Sequence, residues 1–133
     1  MGWDLRLGDG PSPMAITSYR DLRVWQRSMD LIVEIHRVTA TFPAYQRFIL
    51  AAQMQRAALS IASNIAEGRG RWGSREFAHA LSIANVSLKE LETQVLVSGR
   101  LGYTDAAVVD ALLRSCAEIG RMITMLRRSL LPR

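Results

Sequence analysis

Cysteine is nearly absent from this chain. Cys116 is the only one in 133 residues, so no disulfide can form within the chain, which fits a reducing cytoplasm. It falls at an apolar position of a helical pattern, where a thiol serves as a small core residue rather than a nucleophile. Histidine is almost as scarce, and His36 and His79 are not spaced to build a dyad with the thiol. No metal-ligand spacing, phosphate-cradling glycine motif or nucleophile elbow occurs. The GRGRWG stretch at 68–73 has the glycines without a preceding strand or a following Lys-Ser/Thr. Bundle di-metal sites need Glu-x-x-His on each of two facing helices, and that pair is missing. These absences predict a protein that is not an enzyme and that needs no cofactor and no metal.

A long uninterrupted apolar run is lacking as well. Residues 48–66 come nearest, but Gln53, Gln55, Arg56 and Asn64 break them, and one central Arg costs about 2.5–3.5 kcal/mol on the insertion scale. No membrane span is expected. Residues 1–17 hold no apolar stretch of signal-peptide length, and Arg6 stands where a myristoylation motif needs Ser or Thr. Gly8, Gly10, Pro11 and Pro13 make this segment a poor former of regular structure. It reads as a loose leader ahead of one domain at 18–133, with Met14 an alternative start to Met1.

What the chain does contain is ordinary for one globular domain: 49% hydrophobic and 22% charged residues. At this length a single domain buries about two-thirds of its unfolded surface. The formal charge is +5, a balance that favours polyanions as partners, although arginine-rich composition alone produces it too.

Four helical patterns follow the leader, separated by short breaks at Phe42-Pro43, Gly68 to Gly73 and Gly99 to Tyr103. In the first, Ser18 to Asp21 resembles a capping box. Leu22, Trp25, Met29, Ile32, His36 and Thr39 then step by three and four, with a second stripe of Val24, Leu31, Ile35 and Val38 beside them. The second pattern runs through Leu50, Met54, Ala58, Ile61 and Ile65 and predicts a helix ending at a left-handed Gly68. The third, with Ser74 as its cap, has a seam of Phe77, Leu81, Ala84, Leu88, Leu91 and Val95. The fourth, capped by Thr104, keeps a heptad seam of Val109, Leu112, Cys116, Ile119, Ile123, Leu126 and Leu130. Alternating helices with short connections predict an all-α, antiparallel up-down-up-down four-helix bundle.

The run SIASNIAEG at 60–68, with FPAYQRF at 42–48, DLRVWQ at 21–26 and LKELETQ at 88–94, resembles the proteins encoded by intervening sequences in bacterial large-subunit (23S) ribosomal RNA genes. Ser60, Asn64, Glu67, Gly68, Ser87, Glu90 and Leu91 match that family's pattern. Gln46 departs from it, standing where Glu is usual, and Asn85-Val86 replaces a basic residue and glycine. The resemblance spans roughly Tyr19 to Leu130. It implies a four-helix bundle, commonly a homopentamer, and no enzyme. It also implies kinship with the accessory variability proteins of diversity-generating retroelements, basic barrels that engage nucleic acid and a reverse transcriptase.

Several features remain outside the seams. His79, Val86 and Thr93 lie opposite the third helix's seam, with Ile83 and Val97 nearby, so apolar residues on the wrong side predict a subunit interface at Ile83, Val86 and Thr93. Ser60, Asn64 and Glu67 share a face and read as a structural polar cluster fixing register. Arg114, Arg121 and Arg128 form an outward row on the fourth helix, with Arg127 beside it and Glu118 partly neutralising it. Arg69, Arg71, Trp72 and Arg75 gather guanidiniums around an indole able to stack on an unpaired base. Both groups are candidate nucleic-acid contacts, and repetition around an oligomer would add avidity. The expected function is thus a cytoplasmic, homo-oligomeric basic scaffold for nucleic acid, structured RNA above all. The alternative is an adaptor docking a protein partner on the oligomer face.

Overall fold

The computed structural model of the chain describes residues 18–70 and 73–132. The leader, Arg71, Trp72 and Arg133 therefore lie outside the described residues. Four helices pack against one another as an antiparallel bundle: α1 (Arg23–Thr39), α2 (Ala52–Arg69), α3 (Ser74–Arg100) and α4 (Ala106–Leu130). No strand occurs among the described residues. The most extensive contact joins α2 to α3, followed by α3 with α4 and α1 with α2.

The seams of α2 and α3 are buried along their length, from Leu50 to Ile65 and from Phe77 to Val95. In α4, Val109, Leu112, Cys116, Ile119 and Ile123 are buried, while Leu126 and Leu130 are only half-buried as that helix reaches the end of the bundle. In α1 the core side draws on both stripes: Val24, Leu31 and Ile35 of the second are buried and Val38 half-buried, while of the first Leu22 and Thr39 are buried, Trp25 and Ile32 half-buried, and Met29 and His36 exposed. Two polar residues, Ser28 and Thr39, complete that face. Each hydroxyl donates to its own helix's carbonyl four residues back, Ser28 to Val24 and Thr39 to Ile35, both at 2.7 Å. Those bonds satisfy the buried hydroxyls, and a pattern counting only apolar residues passes over Ser28.

The helix ends also differ from expectation. Ser18 does accept from Arg20 N at 3.2 Å, but the turn it caps is a short 3₁₀ helix, Tyr19–Asp21, and α1 begins after it. Ser74 is the first residue of α3 rather than its cap, which is Gly73, and Asp105 instead of Thr104 caps α4. Thr104 is buried and donates to Ser98 Oγ at 2.9 Å. The α3 terminus is a Schellman turn: Gly102 has φ +78°, its N–H reaches Gly99 O at 3.1 Å, and Tyr103 N reaches Ser98 O at 2.9 Å. Between α1 and α2, a 3₁₀ turn (Ala44–Gln46) and a π turn (Arg47–Ala51) carry Leu50 and Ala51 into the core and leave Phe48 90% exposed.

Gly68 does not end its helix. It is buried inside α2, which continues to Arg69. A Cβ at Gly68 would lie 2.5 Å from Ala80 Cβ and 3.0 Å from Phe77 Cδ1, so the backbone of α2 and the side chains of α3 touch where only hydrogen fits. The glycine serves close approach, not a left-handed turn.

Gly68→Ala should therefore cost about 1–3 kcal/mol by overpacking, with partial recovery in the Gly68→Ala/Ala80→Gly pair. Equilibrium urea unfolding of the two variants checks this, and an unchanged midpoint for the single variant would contradict the contact. In the seams, Leu88→Ala or Ile119→Ala should each cost about 2–5 kcal/mol in the same measurement, since both side chains are fully buried.

Candidate nucleic-acid interface

Because the α4 seam repeats every seven residues, the positions opposite it repeat too, and Arg114, Arg121 and Arg128 are all exposed along one side of the bundle. At about 1.5 Å rise per residue the row spans roughly 21 Å. Glu118 does not neutralise it. Its Oε1 turns to α1 and accepts from Arg27 Nε at 2.7 Å. The Arg27 guanidinium also lies 3.4 Å from Asp30 and 3.9 Å from Glu34, and donates to Ser115 Oγ at 3.3 Å. Donation to the Glu118 carboxylate raises the Arg27 pKa, outweighing the effect of partial burial. The α1–α4 contact thus consumes the carboxylate that the sequence places among the row. Asp110, one turn before Arg114, remains exposed on the same side, so the row is least offset towards Arg121 and Arg128.

Beside that end of the row runs a groove of about 570 Å³ between α3 and α4. Arg121 and Arg128 line it from α4, Asn85, Lys89 and Glu92 from α3, with Ala117 and Gly120 among its lining. Lys89 Nζ pairs with Glu92 Oε1 at 3.1 Å. Lys89 and Asn85 escaped the sequence reading because they lie on a different helix from the arginine row, although one signal was available: Lys89 is the chain's single lysine. Arg114 does not line this groove. Arg127 leaves the row, with its Nε donating to Ala78 O at 3.4 Å and tying the end of α4 to the start of α3.

The loop group is divided. Arg69 is half-buried and Arg75 exposed, and Arg71 and Trp72 lie outside the described residues. Arg75 lines a second groove, about 460 Å³ between α2 and α3, with Asn64, Glu67, Glu76, His79 and Ile83. Two carboxylates offset Arg75 there, which makes that groove a poor place for a phosphate. Among the described residues no three His, Cys, Asp or Glu side chains are grouped to hold a metal.

Of the polar cluster, Ser60 and Asn64 are joined and Glu67 is not. Asn64 Nδ2 donates to Ser60 O at 2.8 Å and to Ser60 Oγ at 3.1 Å, and Ser60 Oγ meets Ser87 Oγ of α3 at 2.9 Å. Glu67 is exposed on the groove rim. The outward residues of α3 stand as a face: Val86 is 68% exposed, Ile83 and Val97 are each 40% exposed, and Thr93 lies among them.

Four helices tied together at Ser60–Ser87 and Arg27–Glu118, with an apolar outward face on α3 and a cationic groove between α3 and α4, define a small all-helical single-domain bundle. The sequence model of the 23S rRNA-intervening sequence proteins matches residues 20–125, and the chain belongs to that family. Among solved structures, a Bacteroides thetaiotaomicron protein of unknown function from the S23 ribosomal protein family has a similar fold. The TM-score is 0.73 at 22% identity, over 79% of this chain and 95% of that one. No curated protein matches. Among the described residues no helix is long and apolar enough to cross a membrane.

Cys116 lines the α3–α4 groove from a fully buried position. Burial, with Glu92 and Glu34 adding, pushes its pKa from 9.0 up to about 12, so the thiol stays protonated near neutrality and is a poor nucleophile. Native protein should accordingly resist a thiol reagent that labels the urea-unfolded chain at once. Because the fold favours the protonated thiol, this contribution to stability is complete below about pH 9 and falls between 9 and 12. Unfolding midpoints over that range should drop more steeply for the native sequence than for Cys116→Ala.

Proposed function

We propose that this chain is a non-enzymatic basic scaffold that binds nucleic acid as a homo-oligomer in the cytoplasm. The exposed Arg114, Arg121 and Arg128 row carries this reading, because Glu118 is committed to Arg27 and leaves the row's charge turned to solvent. The net charge of +5 supports it. Structured RNA is the favoured ligand on the family's association with ribosomal RNA genes, while phosphate contacts from arginine predict affinity without a base code. Self-association is supported by the outward α3 face of Ile83, Val86 and Thr93, where apolar side chains stand in water in a single copy. Five copies is the count the family resemblance implies. The same face also fits a different protein, which would make the chain an adaptor with incidental charge.

Replacing Arg114, Arg121 and Arg128 by Gln should weaken binding across unrelated sequences and flatten its salt dependence. Trp72→Ala should hurt single strands more than duplexes, by about 1–3 kcal/mol per stacked base. Fluorescence anisotropy over a salt series with RNA, single-stranded DNA and duplex DNA measures both, and absence of binding by the wild type at low salt would leave the adaptor reading standing. Val86→Glu should dissociate the oligomer while each subunit stays helical. Light scattering with circular dichroism reads this, and a wild type of 14.9 kDa at micromolar concentration would refute self-association.

A further inference from the structure

The α3–α4 groove differs from the arginine row in being concave. Ala117 and Gly120 present almost no side chain to it, and a Cβ at Gly120 would already stand 3.4 Å from Leu88 Cδ2. The groove is open because α4 is small at these two positions. Its volume of about 570 Å³ falls in the range of small-molecule sites, about 300–1,000 Å³.

Its chemistry is graded along the helices. Gly120 packs near Leu88, which sets Asn85, one turn nearer the α3 start, beside Thr124 of α4. Arg128 lies beyond this pair, and Arg121 with Lys89 on its other side. Arg121 and Arg128 are about 10.5 Å apart along the axis at 1.5 Å per residue. Three cations face one carboxylate, Glu92, which is paired with Lys89. Between the cationic positions are an amide able to donate and accept at once, an apolar floor, and Met125, which is 70% exposed. Thr124 Oγ1 spends its proton on Gly120 O at 2.9 Å and presents only acceptor capacity to a ligand.

We infer that this groove holds a nucleoside phosphate, presented as an unpaired residue of a strand, with flanking phosphates on Arg128 and on Arg121 with Lys89. The base lies over Ala117 and Gly120, with its edge on the Asn85 amide. A duplex keeps its bases stacked inside and reaches only the rim arginines, whereas an unpaired nucleotide enters the floor. The inference rests on the nucleic-acid reading above and specifies which form of nucleic acid the groove selects.

Two variants test it without removing a cation: Ala117→Leu fills the floor from an exposed helix position, and Asn85→Ala removes the amide. Anisotropy is measured with a single-stranded RNA, with the same strand in a duplex, and with adenosine 5′-monophosphate as competitor. Both variants should weaken the single strand about tenfold, the scale of one lost bidentate base contact, and leave duplex affinity and thermal unfolding as in the wild type. Equal affinities of wild type and variants for the single strand would overturn the groove assignment while the scaffold reading stands. Equal losses on strand and duplex would overturn it too. Competition by the free mononucleotide at concentrations matching the strand's own Kd would reassign the groove to free nucleotides and overturn the strand assignment. A wild type that binds no nucleic acid would overturn both readings together.

Discussion

The contact on which this bundle depends is the approach of α2 to α3 at Gly68, where a methyl group would stand 2.5 Å from Ala80 Cβ. A helical hairpin closed this tightly fixes how far apart its arms begin. The hydroxyl pair of Ser60 and Ser87 at 2.9 Å then holds the arms in register two turns further along. Asn64 stands between, bonded to both the backbone and side chain of Ser60. Close packing transmits such a constraint because interiors tolerate little change of volume. The remaining helices complete the core that this hairpin opens, with α4 laid along α3 and α1 closing between α4 and α2.

The surface follows from how that closure is made. The α1–α4 seam is joined by a charged cluster around Arg27, and the carboxylates it uses are withdrawn from the outward side of α4. An ion pair this exposed adds little stability. Its consequence is electrostatic: one side of the molecule keeps a row of exposed arginines, offset near Arg114 by Asp110, while Asp30, Glu34 and Glu118 gather around Arg27. On α3, by contrast, the outward face is apolar at Val86 and Ile83 and polar at Thr93 and His79, so the bundle presents an apolar face and a cationic one on adjacent sides of the same helices.

Arginine spacing and groove shape contribute differently to the second surface. The row on α4 is a charge pattern, and charge patterns attract phosphates of any arrangement. The groove is a shape, set by two small residues on α4 and by which residues of α3 stand opposite. Shape is what discriminates one polyanion from another.

The sequence by itself determined the class of fold and most of the core. Apolar residues in α2, α3 and α4 recur at helical spacing, and burial needs only that they share a face, which is a local property of the chain. The arginine row was legible for the same reason, since positions opposite a seam follow from the seam. Periodicity left α1 divided between two stripes and missed Ser28, which is buried with Val24, Leu31 and Ile35. A hydroxyl bonded to its own helix is buried at little cost, and no pattern of hydrophobicity records that bond. The role of Gly68 was likewise hidden, because the same residue ends helices and admits close neighbours, and only the position of Ala80 across the hairpin distinguishes the two. The fate of Glu118 and the meeting of Arg121 with Lys89 and Asn85 were decided by tertiary structure alone. Which side chains from separate helices come together depends on rotation and axial offset of one helix against another, and those are fixed by packing, not by spacing within either helix.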